Sequence, residues 1–231
     1  MNNLAIIITA RKGSKGLPGK NLKILNGKPL IDYSILTALK LKNIKVIALT
    51  SDSEQILERG IHYGVDTILR PKTLAQDNSL VIDAIIHAVD ELNYKHSYNI
   101  DSVLLLQPTF PLRDIKELDE SLNIFHKNPK YSVVSVEKMK EHPCECIELK
   151  SSSKDSWSYL RDPKSVTNRQ EYNGEYYFIN GNFYISTFEF IKLHKSFISE
   201  STNFYICKEA NSIDIDTLSD FYYAEYLMSK K

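Results

Sequence analysis

Five apolar residues and a threonine, Leu4 to Thr9, lead straight into Ala-Arg-Lys-Gly-Ser-Lys-Gly-Leu-Pro-Gly-Lys-Asn at positions 10–21. No charge interrupts the run, so it reads as a strand buried on both faces, as inside a parallel sheet. The twelve residues after it hold four cations, three glycines and no carboxylate. A strand that ends this way offers backbone N–H groups and positive side chains to an anion, a polyphosphate above all. The competing reading is a solvated basic turn. Two glycine-rich loops are excluded. A P-loop needs Gly-x-x-x-x-Gly-Lys-Ser/Thr, but Gly13 to Gly19 is one residue too long and Asn21 replaces the hydroxyl. Glycines at 13, 16 and 19 also miss the dinucleotide pattern, and Pro18 disfavours a helix inside the loop.

Strand and helix signals then alternate. Pro29 is placed as the first residue of a helix to about Leu41, and Val46–Thr50 reads as a strand. Ser51 and Glu54 have capping-box spacing for a helix to about Tyr63. Thr67–Leu69 is a short strand, and Ser79 is read as opening a helix to about Leu92. Val103–Gln107 is a buried strand, Asp114 and Glu117 cap a helix to about His126, and Tyr131–Val136 is another strand. Tyr176–Ile185 is a strand broken at Asn180-Gly181, followed by a short helix at Glu189–His194 and a strand at Phe204–Cys207. Ser212–Ile215 reads as the last strand, and Thr217 with Asp220 caps the terminal helix. This order predicts an α/β fold: a Rossmann-like, mostly parallel sheet with helices on both faces. Ligands of such sheets sit at the carboxyl ends of strands, where the polar loops 11–21 and 108–113 fall.

At 231 residues the chain fits one domain, 1–231, with an insert at about 138–177. Trp157, Tyr159, Tyr172, Tyr176 and Tyr177 are many rings for a disordered insert, so it is expected to be a β-rich projection against a partner chain. Lys+Arg and Asp+Glu are both 29, which gives no global field for nucleic acid or an anionic membrane. The opening run is too short for a signal sequence, and no stretch approaches a membrane span. Three cysteines, Cys144, Cys146 and Cys207, form no zinc pattern and fit free thiols in a reducing cytoplasm.

Asp214-Ile215-Asp216 is the second chemical feature. On a strand its two carboxylates would face one side, as hard donors for magnesium shared with substrate phosphates. Alternatively Asp216 merely starts the following helix. Gln107 at a strand end is placed to bond a polar ligand. Arg70 could hold an anion or be a surface cation, Arg113 could cap or pair with Asp114, and His142 is structural by default. No serine or cysteine triad is present.

Taken together, these residues resemble the acylneuraminate cytidylyltransferases, the CMP-sialic acid synthetases. Residues 10–21 fit the family's Ala-Arg-x-x-Ser-Lys-Gly-Leu/Ile-Pro-x-Lys-Asn throughout, without the Arg-Leu-Pro-Gly-Lys-Pro-like form of the Kdo branch. Leu69-Arg70-Pro71 with Leu74-Ala75-x-Asp77, Leu105–Arg113, and 212–217 follow as family blocks in order. The resemblance implies that CTP lies across the carboxyl edge and that the anomeric hydroxyl of a 2-keto sugar acid attacks its α-phosphorus. It implies catalytic roles for Arg11, Lys20, Asp214 and Asp216, and CTP contacts from Arg11, Ser14, Lys20, Asn21, Arg70 and Ser79. Asp214 and Asp216 would hold Mg2+, and Gln107, Arg169 and Tyr184 would meet the sugar. A homodimer, built through the insert, is also implied.

The sugar end departs from the family pattern. Asn78, Leu80 and Val81 stand in a stretch usually rich in small hydroxyl residues, and Phe110 replaces a serine. Cys144 and Glu145 follow His142-Pro143 where a basic residue is usual, and the partner-facing aromatic pair is reduced to Phe197-Ile198. The expected substrate is a nonulosonic acid, with N-acetylneuraminate, legionaminate-like and pseudaminate-like sugars all open. The alternatives are another nucleotide-sugar pyrophosphorylase of the same fold and a non-catalytic nucleotide-binding module.

Overall fold

A computed structural model describes residues 3–14, 16–150, 156–162, 174–208 and 213–230. The opening run forms β1 (Leu4–Thr9), and a small hairpin follows from β2 (Ile24–Leu25) and β3 (Lys28–Pro29). Helix α1 is Leu30–Ala38; Pro29 sits one residue before it, extended and paired to Ile24, not at its first position. Then come β4 (Val46–Ser51), α2 (Glu54–Tyr63), β5 (Asp66–Leu69), α3 (Val81–His96), β6 (Ser102–Leu106), α4 (Ile115–Lys127) and β7 (Ser132–Lys138). The insert holds β8 (Ile147–Leu149) and β9 (Trp157–Tyr159), and β10 (Tyr177–Thr187), α5 (Phe188–His194), β11 (Thr202–Ile206) and α6 (Leu218–Ser229) complete the order.

Seven strands form one sheet in the order β11-β7-β10-β6-β1-β4-β5. The pairs β1–β4, β1–β6, β4–β5 and β7–β11 are parallel; β10 runs antiparallel to both β6 and β7. The fold is thus the expected Rossmann-like, mostly parallel sheet with helices on both faces and a small β insert. The period of two along β1 distributes its side chains. Leu4, Ile6 and Ile8 pack with α1, α2 and α4, whereas Ala5 and Ile7 pack with α3 and α5. A third cluster joins Leu17 of the first loop to Ile213, Ile215 and, on α6, Phe221 and Ala224.

Three further local readings are corrected. Ser51 does not cap α2: it ends β4, fully buried, and its hydroxyl accepts from the Ser53 N–H. Ser79 does not open α3 either. Its hydroxyl donates to the Thr73 carbonyl and accepts from the Gln76 N–H, so it ties a turn before the helix. Residues 213–216 form no strand, because their backbone is held by a loop, with the Ile215 N–H donating to the Thr109 carbonyl. The caps at Asp114 and Thr217 form as expected, the latter with a complete capping box to Asp220. The break in β10 also falls where the sequence places it, as a register shift between Ile179 and Tyr184 with Gly181 at φ +79°.

Candidate active site

The chain leaves β1 between β4 and β6, one reached by the next parallel crossover and the other by a later one. This is the switch point at which open α/β sheets bind ligands. The cationic loop is held over it at both ends. At its start the Ala10 N–H donates to the Thr50 carbonyl and the Lys12 N–H to Asp52 Oδ1, 2.8 Å. At its end the buried Asn21 donates from Nδ2 back to the Arg11 carbonyl, 2.9 Å, closing the loop on itself. Leu17 anchors the middle in the third cluster. Gly19 takes a left-handed conformation at φ +68°. Gly16 passes so close to the Asp216 carbonyl oxygen that a Cβ there would collide with it.

This scaffold aims the cations. Lys20 Nζ donates to the Ile215 carbonyl at 3.0 Å and to Asp216 Oδ1 at 2.8 Å. Arg11 Nη1 donates to Asp77 Oδ1 at 2.7 Å. Arg70 is not a surface cation: it is 6% exposed, and its Nε has no hydrogen-bond partner. Burial lowers its pKa, Asp52 opposes that, and the nearby Arg11 adds to it. A buried guanidinium with an unused donor beside a second guanidinium is a site for an anion.

Among the described residues, three cavities border the cationic loop and the acidic pair. The first, about 250 Å3, is lined by Arg11, Ser14, Gly16, Lys20, Asn21, Gln107 and Asp216, among others. The second, about 270 Å3, shares Thr9, Arg11 and Gln107 with it and adds Arg70, Asp77, Ser79 and the start of α3. The third, about 520 Å3, runs from Asp214 past Phe110 to residues 137–141 and 178–180. All the expected CTP-contact residues therefore line the first two cavities. Asp216 faces the first and Asp214 the third. Ile213 and Ile215 are buried while Asp214 and Asp216 are exposed, so the expected alternation holds although no strand carries it. Burial raises the pKa of Asp214; the Thr109 hydroxyl works against this, and Asp216 reinforces it.

Gln107 and Tyr184 converge across Gly181. A Cβ at that glycine would lie 3.1 Å from Gln107 Oε1 and 3.8 Å from the Tyr184 hydroxyl. Tyr184 also packs on Phe197, with ring centroids 5.4 Å apart. Its pKa is raised by burial and by Asp214. Arg169 lies outside the described residues.

One organising residue escaped the sequence reading. Arg113 neither caps α4 nor pairs with Asp114; it is 9% exposed. Its guanidinium donates to the carbonyls of Asn182 (2.8 Å), Phe110 (2.7 Å) and Gln107, and to Ser34 Oγ (2.9 Å). Burial pushes its pKa down to about 9, with Asp214 opposing, so it stays charged at neutral pH. It rivets the Gln107 loop, the β10 break and α1 together. Asp52 and Asp77, partners of the first loop, were also missed. Asp52 directly follows β4, and Asp77 stands in the Leu74-Ala75-x-Asp77 block without an assigned role.

A cationic loop at the switch point, facing an acidic pair from a distant segment, is an arrangement that suits an α/β nucleotidyltransferase. The chain belongs to the cytidylyltransferase family, whose sequence model matches residues 5–229. It is 38% identical over 226 residues to a CMP-N,N′-diacetyllegionaminic acid synthase of Legionella pneumophila, covering 96% of this chain and 94% of that one. It is 33% identical over 229 residues to an N-acylneuraminate cytidylyltransferase of Escherichia coli, covering 97% of this chain and 52% of that one. The chain thus spans about half the length of the N-acylneuraminate cytidylyltransferases it matches. In fold it is similar to a CMP:2-keto-3-deoxy-manno-octonic acid synthetase complexed with CTP, with a TM-score of 0.73 over 99% of both chains at 15% identity.

Proposed function

We propose that this enzyme transfers CMP from CTP to the anomeric hydroxyl of a nonulosonic acid, releasing pyrophosphate. The observation that carries the reading is the groove itself. Arg11, Lys20 and Arg70 line two joined cavities that suit a nucleoside triphosphate, and a third, larger cavity opens at the acidic pair. Lys20 and Arg11 would grip the triphosphate, exchanging their present carboxylate partners for phosphate oxygens and offsetting charge as the pyrophosphate departs. Arg70 would add its unused Nε donor, and the region around Ser79 would border the nucleoside. The sugar hydroxyl attacks the α-phosphorus, the bond from that phosphorus to the bridging oxygen breaks, and its electron pair leaves with pyrophosphate. Gln107 and Tyr184 would hold the sugar in line.

The donor set fits magnesium. Two hard carboxylates are two residues apart, and the pKa of Asp214 is raised by burial, with Asp216 reinforcing it. Among the described residues no third acidic, histidine or cysteine side chain completes a protein-only cage. Magnesium commonly takes one or two carboxylates and completes its shell with substrate phosphates and water. Asp214 and Asp216 would hold it there, where it would acidify the attacking hydroxyl and neutralise phosphate charge.

A homodimer fits the insert. Ile147, Leu149, Trp157 and Tyr159 on the β8–β9 ribbon are all exposed, as interface residues are before a partner covers them. A cytoplasmic setting suits the three free thiols, and among the described residues no helix is long and apolar enough to cross a membrane. The decisive assay mixes CTP, magnesium and a panel of nonulosonic acids and measures CMP-sugar and pyrophosphate. We expect stoichiometric release of both with at least one sugar. Tight CTP binding with no product from any of them refutes the reading.

A further inference from the structure

We infer that Asp77 couples the two halves of the nucleotide: it holds Arg11 before CTP binds and exchanges it for hydrogen-bond donors of the nucleoside. The inference rests on the proposed function and gives a role to a carboxylate outside the acidic pair. Arg11 borders both of the smaller cavities, but its partner Asp77 borders only the second. Their 2.7 Å ion pair ties the loop after β1 to the segment between β5 and α3, 66 residues further on.

Donors and acceptors decide what happens on binding. A triphosphate offers acceptors, so it competes with Asp77 for the Arg11 guanidinium and repels the carboxylate. An ionised carboxylate also only accepts, so polyphosphate cannot replace the bond that Asp77 gives up. The same exchange at Lys20 has an outlet, because Asp216 belongs to the pair proposed to hold magnesium. Asp77 instead shares the second cavity with Ser79 and the apolar Leu74, Leu80 and Val81, where the nucleoside is proposed to lie. There the ligand carries its donors, the ribose hydroxyls and the cytosine amine. They take the place of Arg11 on Asp77 as Arg11 turns to the phosphates. Arg70, Thr9, Gln76 and Gln107 border the cavity too, and the Ser79 hydroxyl is already donated to the Thr73 carbonyl. Whatever those donors lend Asp77 they lend with either ligand. A whole nucleotide therefore satisfies both partners of the broken pair, and a bare polyphosphate satisfies one. Pyrophosphate left after transfer is a bare polyphosphate. Once the CMP-sugar takes its donors out of the second cavity, Asp77 recovers Arg11 and loosens the remaining product.

The test titrates CTP and inorganic tripolyphosphate into the native protein and two variants by calorimetry, at fixed free magnesium and ionic strength. The cost of breaking the Arg11 pair is common to both ligands and cancels in the ratio of their dissociation constants. The nucleoside's bonds to a charged acceptor do not cancel, and one such bond is worth about tenfold or more. Asp77→Ala should therefore cut the preference for CTP by about tenfold. Tripolyphosphate should bind about threefold to fivefold tighter, the small gain expected of an exposed pair, and CTP should weaken. Product inhibition by pyrophosphate should strengthen by a similar factor. Asp77→Asn removes the charge and keeps an acceptor, so it should tighten tripolyphosphate likewise and retain part of the preference. The Asp77 side chain is 53% exposed, so both variants should fold. A native protein without preference for CTP, a ratio unmoved by the variants, or both ligands shifting together overturns this inference; turnover with any sugar then leaves the proposed function standing. A native protein that neither binds CTP nor makes product from any nonulosonic acid overturns both.

Discussion

The two ends of the groove, the proposed nucleotide end at the cationic loop and the proposed sugar end at the third cavity, are built in opposite ways. At the nucleotide end one short stretch of sequence supplies most of the contacts, and it is fixed before any ligand arrives: Asn21 closes it, Asp52 holds its backbone, and Lys20 and Arg11 already sit on carboxylates. The sugar end is gathered from β6, β7, β10 and the 213–216 segment, and much of its wall is open apolar surface. Preorganised charges suit the proposed triphosphate. An open wall assembled from several segments can change its side chains one at a time, and so can change its sugar.

The sharpest way to break the comparison is at Lys20. Lys20→Met should lower kcat/KM by about 10²- to 10³-fold, roughly 3–4 kcal/mol of transition-state stabilisation, with the sugar KM nearly unchanged. Steady-state kinetics with each substrate varied in turn would show this; a loss confined to the sugar KM would contradict the division. Arg113 joins the two ends, so its loss should cost stability as well. Arg113→Met strips partners from three backbone carbonyls and should destabilise by about 3 kcal/mol, lowering Tm by about 6–12 °C. The sugar KM should rise more than the KM for CTP. Arg113→Lys should recover only part of the loss, since one ammonium cannot span the same fork of acceptors.

The smallest effect expected is a gain. Glu117 on α4 is 2% exposed; one oxygen accepts from the Lys208 N–H, and the other has no hydrogen-bond partner. Burial raises its pKa, with the Lys208 N–H opposing. The folded protein therefore holds this proton more tightly than the unfolded chain. Stability is greatest below the unfolded value, about 4.3, and falls as pH rises through the raised folded value. Glu117→Gln should raise Tm at pH 7 by about 2–4 °C, and the gain should vanish on acidification below the unfolded value. A gain that persists unchanged in acid would show that burial of the charge is not its source.

Much of the nucleotide end was legible because its signals are local. A charge-free run makes a core strand, a cluster of cations after it makes an anion loop, and Thr217 with Asp220 caps a helix wherever the chain goes. The rest depended on distant partners. Ile213 and Ile215 alternate like a strand, yet they fill a cluster beneath the first loop and their backbone bonds to residue 109. Arg113 reads as a surface residue until three carbonyls from two separate segments are brought to it. Arg70 likewise falls between a strand end and a proline in sequence, and only packing reveals that it is buried.

The bond between Lys20 and Asp216 spans 196 residues of sequence. During synthesis the loop emerges early and waits, its amine without its carboxylate, until the segment carrying Asp216 clears the ribosome. A chain interrupted before that point holds the cations without the acidic pair. The same late segment also brings Ile213, Ile215 and α6, on which Leu17 of the loop packs, so the loop gains its anchor and its carboxylate together.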